Sequence, residues 1–320
     1  MTRTLCAIVA ALFGACGAER DPHVLRVGHF PNITHAQGLI GHARTRAGER
    51  WLEEKLGQGI RIEWFVFNAG PAAMEALLTG SIDLAYVGPN PALNAHVRTG
   101  GDEVRVVAGA ARGGAGLVVQ GDGRIRTDKD FRGQRVATPQ FGNTQDVACR
   151  AWLLDRGFEV TQTGGDVLVV PTENADQLAL FRHGEIGAAW TVEPWVSRLE
   201  MEGGGRLYHE EKDAVTTVLV ASARLLRERR ELARRFVAAH AELTAWIAAN
   251  PEEAKDAVAR ELLAETRREM PPDLLDRAWG RLTFDAETQV AAFEEFQRKA
   301  VRTGLLECAF PLDRFAEAPG

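Results

Sequence analysis

Five short turns carry most of the polar side chains that could contact a ligand, and each turn leads into a predicted helix. They span residues 30–35, 68–71, 88–90, 140–144 and 191–195. A helix N-terminus carries unpaired backbone N–H groups and the positive end of the helix dipole, so several converging helix starts can hold an oxyanion without a buried Lys or Arg. Neutral amide and hydroxyl side chains add hydrogen bonds to the same group. These turns therefore predict a binding site for a small oxyanion-bearing solute.

The residues predicted to bind this solute all come from the five turns. Asn and Thr at a helix start commonly act only as N-caps, so each of them has a structural alternative. Glu193 has two open roles, which are pairing with a cationic part of the solute and capping its own helix. The aromatic rings of Phe30 and Trp195 either wall an organic tail or belong to the core. The predicted set is Phe30, Asn32, Thr34, His35, Asn68, Gly88, Pro89, Asn90, Gln140, Asn143, Thr144, Thr191 and Glu193.

Three histidines near the N-terminus raise the alternative of a metal site. His35 and His42 share one helix face at i, i+7 spacing, and His29 precedes them. A metal site needs at least three well-placed ligands, and no Asp or Glu at ligand spacing joins these histidines. We therefore predict no metal and no cofactor. The sequence also has no Gly-x-Ser-x-Gly elbow and no Walker-type loop, so we predict that the protein is not an enzyme.

A pattern that occurs twice in the chain predicts how these turns are positioned. In residues 68–94, a helix begins at Pro71, ends with a glycine cap at Gly80 and is followed by a short strand and a proline-marked turn. The same order recurs in residues 175–195. We interpret the recurrence as two similar α/β bodies whose strand ends and helix starts face a common cleft. Glycines in residues 112–116 indicate a bulge or a crossing between the bodies.

The periodicity of apolar residues predicts an alternation of strands and helices. After residue 222 it predicts helices only, at 223–249, 251–266, 272–282 and 286–303, and we assign this region a packing role. Earlier in the chain, residues 36–56 are predicted to form one helix. The predicted organisation is a signal peptide at 1–16, a first lobe at 24–112, a second lobe at 113–210 and a return to the first lobe with C-terminal helices at 211–320.

Composition and charge exclude some partners. The chain has 320 residues, of which 45% are hydrophobic, and a net charge of -6. No face dense in Lys and Arg is visible, so we predict no nucleic-acid partner. Residues 1–16 resemble a bacterial lipoprotein signal in which Cys16 is lipidated, with ordinary secretion as the alternative. Cys149 and Cys308 lie in different predicted bodies, and we predict no disulfide between them.

Several motifs together resemble a known family. They are Ala-Met-Glu-Ala-Leu-Leu-Thr-Gly-Ser-Ile-Asp-Leu-Ala at 73–85, Gly-Pro-Asn-Pro at 88–91, Asp-Phe-Arg-Gly-Gln-Arg-Val-Ala at 130–137, Trp-Thr-Val-Glu-Pro-Trp at 190–195, and Asn-Pro-Glu-Glu-Ala at 250–254 followed by Phe284-Asp285. In this order and spacing the chain resembles, over essentially its whole length after the signal, the solute-binding proteins of ABC importers for nitrate, sulfonates and taurine.

The resemblance implies an α/β fold of the periplasmic-binding-protein type II, with two lobes that are each a mixed sheet flanked by helices and with the C-terminal helices packed on the first lobe. Two crossover strands join the lobes, the second near residues 216–221. The lobes close over a small anionic or sulfonate-like solute, and the closed monomer docks on a membrane permease. The location implied is periplasmic or otherwise extracytoplasmic, either anchored through Cys16 or soluble.

The family pattern also leaves alternatives open. In its sulfonate and taurine members the turns that match 88–90, 143–144 and 191–193 face the ligand, but Pro-Asn-Pro stands here where sulfonate binders commonly have a Glu-containing turn. The identity of the solute therefore stays open. One alternative is an enzyme of the same fold related to thiamine-pyrimidine biosynthesis, whose Cys-rich motif this sequence lacks. Others are a binding protein for a pyrimidine or another small organic solute, and a sensor domain.

Overall fold

The computed structural model describes residues 21–161 and 164–317, and within them the chain forms two separate β-sheets. Short, strongly apolar segments make the central strands, as in Leu84–Val87 and Val215–Ser222, where every residue is buried. The strands in chain order are β1 Val24–His29, β2 Arg61–Val66, β3 Leu84–Val87, β4 Val104–Gly113, β5 Ala115–Gln120, β6 Arg135–Thr138, β7 Leu168–Pro171, β8 Ala188–Val192, β9 Gly205–Glu211, β10 Val215–Ser222 and β11 Leu282–Phe284.

The two sheets share one topology apart from the edge strand β11, which has no counterpart in the second sheet. The first has the strand order β11-β4-β10-β3-β1-β2 and the second β7-β6-β8-β5-β9. In the first sheet β1 lies parallel between β2 and β3, and β10 adds an antiparallel strand beside β3. In the second, β6 lies parallel between β7 and β8, and β5 adds the antiparallel strand. The predicted internal repeat and the predicted fold class are thus confirmed, and we call the two sheets with their packed helices the first and second lobes.

Helices follow most of the strands. In chain order they are α1 Ala36–Arg46, α2 Trp51–Leu56, α3 Gly70–Leu78, α4 Pro89–Arg98, α5 Thr144–Asp155, α6 Asn174–Arg182, α7 Trp195–Met201, α8 Ala223–Glu228, α9 Arg230–Ala249, α10 Pro251–Thr266, α11 Pro272–Trp279 and α12 Val290–Arg302. Short 3-10 turns lie at Ile33–His35 and Asp128–Phe131.

Two helices predicted to be continuous are interrupted. The one predicted at 36–56 is α1 followed by α2, because Gly48 turns the chain with φ of 79°. A left-handed backbone of this kind suits glycine and ends a helix. The one predicted at 223–249 breaks at Arg229, whose φ of -137° and ψ of 45° are not helical. The prediction missed β11 because it placed residue 282 at the end of a helix.

The chain crosses between the lobes twice. It leaves the first sheet at Gly113 and enters the second at Ala115, with φ of 74° at Gly113 and 69° at Gly114. A Cβ atom on Gly113 would lie 2.5 Å from the backbone oxygen of Arg281, so this crossing needs glycine. The return occurs at residues 212–214, between β9 and β10. The second crossover was predicted near 216–221, but those residues belong to β10 of the first sheet.

The C-terminal helices complete the first lobe and reach the second. Helix α9 packs on α2, and α10 packs on α1, as the resemblance implied. Helix α12 lies against both α4 and α5, and α11 lies against α7 of the second lobe. The C-terminal region therefore braces the two lobes as well as covering one of them.

Two predictions concern the cysteines and the signal peptide. Cys149 is buried and Cys308 is exposed, and both are free thiols, as predicted. Cys16 and the predicted signal peptide lie outside the described residues. Among residues 21–161 and 164–317, the search for a helix with the length and apolarity needed to cross a membrane found none.

A buried histidine links α9 to the first sheet. The Nε2 atom of His240 donates to the backbone oxygen of Gly109 at 2.8 Å, so its Nδ1 atom accepts from the hydroxyl of Tyr86 at 3.0 Å. Both hydrogen bonds use the neutral ring, and burial lowers the pKa of His240 to about 4. Protonation of Nδ1 would require the Tyr86 hydrogen bond to reverse, which leaves the phenol proton without its acceptor in a dry interior.

We predict that this histidine makes stability depend on pH. The unfolded chain takes up a proton at His240 below about pH 6.5, whereas the folded chain does so only near pH 4, so stability falls as the pH is lowered through that window. Urea unfolding should show a contribution of about 2 kcal/mol lost between pH 7 and pH 5. His240→Gln should remove this part of the pH dependence, and His183→Gln, at an exposed position, should keep it. An unchanged slope in His240→Gln would contradict the assignment.

Candidate binding cleft between the lobes

The cleft between the lobes contains two adjoining cavities. The outer cavity has a volume of about 620 Å³ and the inner one about 40 Å³. The two form one continuous space because they share lining residues from both lobes, which are Asn32, Asn68, Ala69, Pro139 and Asn174. The cleft predicted between the two α/β bodies is therefore present.

Strand ends and helix starts build both walls of the cleft. Because β1 and β2 are parallel, their carboxyl ends lie at one edge of the first sheet, and the same holds for β6 and β7 in the second. The chain turns from each of these strands directly into a helical segment. The segments begin at Ile33, Gly70, Thr144 and Asn174.

Two asparagines in the inner cavity have their oxygen atoms occupied by the protein. The Oδ1 atom of Asn32 accepts from the indole N–H of Trp195 at 3.3 Å, which is a contact between the lobes. The Oδ1 atom of Asn143 accepts from the backbone N–H of Asp146 at 2.8 Å and so caps α5. Indole and backbone N–H groups can only donate, so the orientation of both amides is determined. Each amide is left with its NH₂ group as a donor.

Asn174 follows the same pattern from the second lobe. Its Oδ1 atom accepts from the hydroxyl of Thr191 at 2.9 Å. No hydrogen bond from the Nδ2 atom of Asn32, Asn143 or Asn174 to another described residue is present, and all three residues line the inner cavity. Asn32 and Asn143 therefore present NH₂ donors to a bound group, and Asn174 presents one in the orientation in which its oxygen accepts from the Thr191 hydroxyl.

His35 adds a further donor. The backbone N–H of Phe30 points at the Nδ1 atom of His35 with a separation of 3.4 Å, so the ring proton lies on Nε2. Burial lowers the pKa of His35 well below its ordinary value, and the nearby His29 adds to this shift. His35 is thus a neutral imidazole that lines the inner cavity with its N–H side available.

The start of α5 contributes backbone donors. The Asn143 side chain caps only the N–H of Asp146, and the structure describes no partner for the N–H groups of Thr144 and Gln145. All of these residues except Asp146 line the inner cavity. The first N–H groups of a helix favour negative charge through both hydrogen bonding and the helix dipole. No Asp, Glu, Lys or Arg is among the described residues that line the inner cavity.

The start of α4 has a different role from the one predicted. Pro89 has no N–H group, and the N–H of Asn90 donates to the Thr144 hydroxyl at 3.2 Å. The side-chain nitrogen of Asn90 donates to the backbone oxygen of Gly142 at 2.8 Å. Both acceptors belong to the second lobe, and a Cβ on Gly88 would lie 2.5 Å from the Thr144 hydroxyl oxygen. The Gly88–Asn90 turn therefore holds the lobes together in a closed arrangement.

The outer cavity is largely apolar with charges at its margin. The guanidinium of Arg198 pairs with Glu202 at 2.6 Å, and Arg268 has no ion pair among the described residues. Glu173 is exposed and is the only acidic residue among those described around this cavity. The apolar part of the wall comprises Pro31, Ala69, Ala72, Pro139, Pro171, Ala175, Pro194, Trp195, Leu262 and Met270. Such a surface suits an organic tail.

Most of the residues predicted to bind a solute line one of the two cavities, and some do not. Those that line a cavity are Phe30, Asn32, Thr34, His35, Asn68, Gly88, Gln140, Asn143 and Thr144. Those that line neither are Pro89, Asn90, Thr191 and Glu193. Within the second group, Asn90 and Thr191 hydrogen-bond to residues that line the inner cavity, namely Thr144 and Asn174.

Glu193 is a buried structural carboxylate. It accepts from the backbone N–H of Ser197 at 3.1 Å and from the Ser197 hydroxyl at 2.9 Å, which caps α7. It also pairs with Arg281 at 2.8 Å. Burial raises the pKa of Glu193, although these hydrogen bonds oppose the shift. Of the two roles left open by the sequence, the structure places Glu193 in the capping one.

The sequence missed part of the cleft wall. Asn174 follows β7 as Asn32 follows β1, so the rule of strand end and helix start could have found it. Leu262, Thr266 and Met270 come from α10 and the segment after it. No local pattern marks these three residues, since they reach the cleft only through the packing of α10 on α1.

The three histidines considered as metal ligands separate in the structure. His35 faces the inner cavity, whereas His29 and His42 lie behind the first-lobe wall. The expectation that no acidic residue joins them was wrong, because Glu265 of α10 contacts both at 3.1 and 3.0 Å.

Comparisons with known proteins place the chain in a family. The model of the NMT1-like family matches residues 18–263. A protein of Escherichia coli (strain K12) named as an aliphatic sulfonates-binding protein is 30% identical over 201 residues, which are 62% of this chain and 58% of that protein. The taurine-binding periplasmic protein of the same organism is 27% identical over 45% of this chain and 43% of its own length. The chain thus spans less than two thirds of the length of these two relatives.

Solved structures share the fold. The alkanesulfonate-binding protein SsuA from Xanthomonas axonopodis pv. citri, bound to MOPS, has a TM-score of 0.71 at 21% identity, with 89% of this chain and 94% of that chain covered. The periplasmic nitrate-binding protein NrtA from Synechocystis PCC 6803 has a TM-score of 0.72 at 17% identity, with 93% and 92% covered. These structures confirm the predicted fold, and the family model together with the sulfonate-binding relative confirms the resemblance. Because the family model extends over residues 18–263, the chain belongs to the NMT1-like family.

Proposed function

We propose that this protein is the extracytoplasmic solute-binding component of an ABC importer and captures a small organic oxyanion of the aliphatic sulfonate class. The observation that carries the proposal is the set of donors in the inner cavity. Three asparagines have their oxygens occupied by Trp195, Asp146 and Thr191, and their NH₂ groups remain. A tetrahedral or planar oxyanion has only acceptor atoms, and it matches such a set.

The shape of the cleft favours an organic anion over a bare inorganic one. An anionic head in the inner cavity directs its tail into the outer cavity, whose wall is largely apolar. Nitrate would leave that wall in contact with water. A taurine amine would need a carboxylate, and Glu193 is already paired with Arg281. Glu173, at the margin of the outer cavity, is the remaining candidate for that contact.

The closed arrangement of the lobes supports the proposed capture of a solute. The Asn90 and Asn32 hydrogen bonds between the lobes describe the closed form of a hinged protein. The named relatives are binding proteins and periplasmic proteins, which supports a binding role outside the cytoplasm and not a catalytic one. A membrane permease is the partner that such a role requires. We further propose that the protein acts as a monomer and, through Cys16, as a lipid-anchored one.

A direct ligand screen tests the proposed solute class. Thermal-shift and calorimetric titrations in a sulfonate-free buffer should detect binding of butanesulfonate and ethanesulfonate, with weaker binding of taurine and nitrate. The order follows from burial of the tail in the outer cavity. If alkylphosphonates or pyrimidines bind and no sulfonate does, the class is wrong. The absence of any shift with all of these compounds would contradict an oxyanion site.

Asn174→Asp tests the donor set. The substitution keeps the size of the side chain and its acceptance from Thr191, but it replaces the NH₂ donor with a carboxylate oxygen. We expect sulfonate affinity to fall by at least about 100-fold, because a like-charge contact costs several kcal/mol. Gln58→Glu adds the same charge at an exposed position and should leave affinity unchanged. Equal affinity in both variants, measured by calorimetry, would show that Asn174 does not face the anion.

Glu193→Gln separates support of the cleft from recognition of an amine. The variant weakens the contacts with Arg281 and Ser197, so the free energy of unfolding should fall by about 2 kcal/mol. The ratio of butanesulfonate to taurine affinity should stay the same, because the side chain does not line the cleft. Selective loss of taurine binding would instead assign Glu193 to the ligand amine. Urea unfolding and competition titrations provide the two measurements.

A further inference from the structure

A cluster of two histidines and two glutamates lies behind the first-lobe wall of the cleft. His29 is the last residue of β1, and His42 lies on α1. Glu261 and Glu265 lie one turn apart on α10. The side chains of His29, Glu261 and Glu265 are at most 3% exposed, and that of His42 is 15% exposed. Nothing in the proposed capture of a solute uses these four groups.

Three polar atoms of the cluster form a nearly equilateral triangle. The Nε2 atom of His29 lies 3.1 Å from the Nδ1 atom of His42, and the Oε1 atom of Glu265 lies 3.1 Å from the first and 3.0 Å from the second. The Oε1 atom of Glu261 is a fourth neighbour, at 3.0 Å from Nδ1 of His42. The metal-binding atoms of His29, His42 and Glu265 therefore converge on one point.

Hydrogen bonding crowds this triangle. If both ring nitrogens donate to Glu265, their two N–H groups converge on the same carboxylate oxygen, Oε1, with the nitrogens 3.1 Å apart. A metal ion at the centre of the triangle contacts the two ring nitrogens and the Oε1 atom of Glu265 at once. With bonds of about 2.0–2.1 Å, a tetrahedral ion holds its ligand atoms about 3.3 Å apart, close to the separations found here.

Two further features of the cluster favour a cation. The Oε2 atom of Glu265 is buried and has no hydrogen-bond partner among the described residues. Burying such an atom is costly unless something binds it. The carboxylates of Glu261 and Glu265 have one guanidinium beside them, that of Arg46, which pairs with Glu261 at 2.9 Å. The cluster thus contains two buried carboxylates and one guanidinium.

The surroundings of the histidines fit the role of ligands. The Nδ1 atom of His29 lies 3.4 Å from the backbone oxygen of Phe30, to which it can donate, and this leaves Nε2 for the ion. The ring of His42 stacks on Trp64 with a centroid separation of 5.7 Å. A metal on Nδ1 of His42 places the ring proton on Nε2, which lies 3.2 Å from Nη2 of Arg46. Arg46 is half exposed, so its guanidinium can turn from that proton.

A route from solvent also exists. A surface cavity of about 500 Å³ between α1 and α10 is lined by Arg46 and Glu261. Glu261, which borders this cavity, lies 3.0 Å from Nδ1 of His42, and its partner Arg46 is half exposed.

We propose that His29, His42 and Glu265 bind one divalent first-row transition-metal ion of the Zn²⁺ type, with Glu261 as an acidic neighbour of His42. Two imidazoles and one carboxylate suit such an ion, whereas Mg²⁺ and Ca²⁺ prefer oxygen ligands only. The ion joins β1 and α1 to α10. Leu262 and Thr266, on the same turns of α10, line the outer cavity, so the ion stabilises the cleft wall without contacting the solute.

Metal titration of the tag-free, chelator-treated chain tests this proposal in the absence of any solute. With Zn²⁺ alone, competition against a chromophoric chelator should give one ion per chain, and Zn²⁺ should raise the melting temperature where Mg²⁺ and Ca²⁺ do not. Co²⁺ should give the visible absorption of a tetrahedral site. His42→Ala and Glu265→Gln should each weaken Zn²⁺ binding by at least about tenfold, as loss even of a supporting group does in metal sites.

Control variants distinguish this site from surface binding. His183→Ala removes an exposed histidine that lies 3.8 Å from Glu185, and it should leave Zn²⁺ affinity unchanged. Glu265→Gln retains a hydrogen-bonding oxygen for the histidines, and circular dichroism of the metal-free variants verifies that they fold. A folded chain that binds no Zn²⁺, or variants that bind it as tightly as the parent chain, would overturn the proposal. Sulfonate binding is measured separately, so failure of either proposal leaves the other intact.

Discussion

Parallel strand pairing is the constraint on which the cleft depends. Because β1 runs parallel to β2 and β3, and β6 to β7 and β8, each lobe has its strand carboxyl ends and the following helix starts at one edge. The two crossings of the chain, at residues 113–114 and 212–214, join the lobes with these edges face to face. Hydrogen bonds of Asn90 and Asn32 across the gap then close it around a small space.

An acidic protein can bind an anion in such a space because the donors are neutral. The net charge of the chain is -6, and no charged residue is among those described around the inner cavity. A buried Lys or Arg would have to lose its hydration before a ligand arrived, which is costly. Backbone N–H groups and asparagine amides carry a smaller cost, and the protein orients the amides in advance through contacts to their oxygens.

The C-terminal helices do more than fill the first lobe. Helix α10 supplies Leu262 and Thr266 to the cleft and brings Glu265 to His29 and His42. Arg281, at the start of β11, pairs with Glu193 of the second lobe. This region was predicted to have a packing role, and it also supplies residues to the cleft wall and an ion-pair partner to the second lobe, through contacts between different parts of the chain. The cleft wall and the contacts between the lobes thus depend in part on segments that contribute few atoms to the surface of the cleft.

The sequence by itself determined the two-lobed α/β fold, its internal repeat, the family and half of the residues that line the inner cavity, because strands, helix starts and glycine turns depend on residues a few positions apart. Asn32 and Asn143 could be predicted for this reason. Only the tertiary structure decided that Glu193 pairs with Arg281, 88 positions away, and that His42 meets Glu265, 223 positions away. Contacts at such separations depend on how whole helices pack, and the apolar periodicity of a helix shows which face is buried but not which residue it meets.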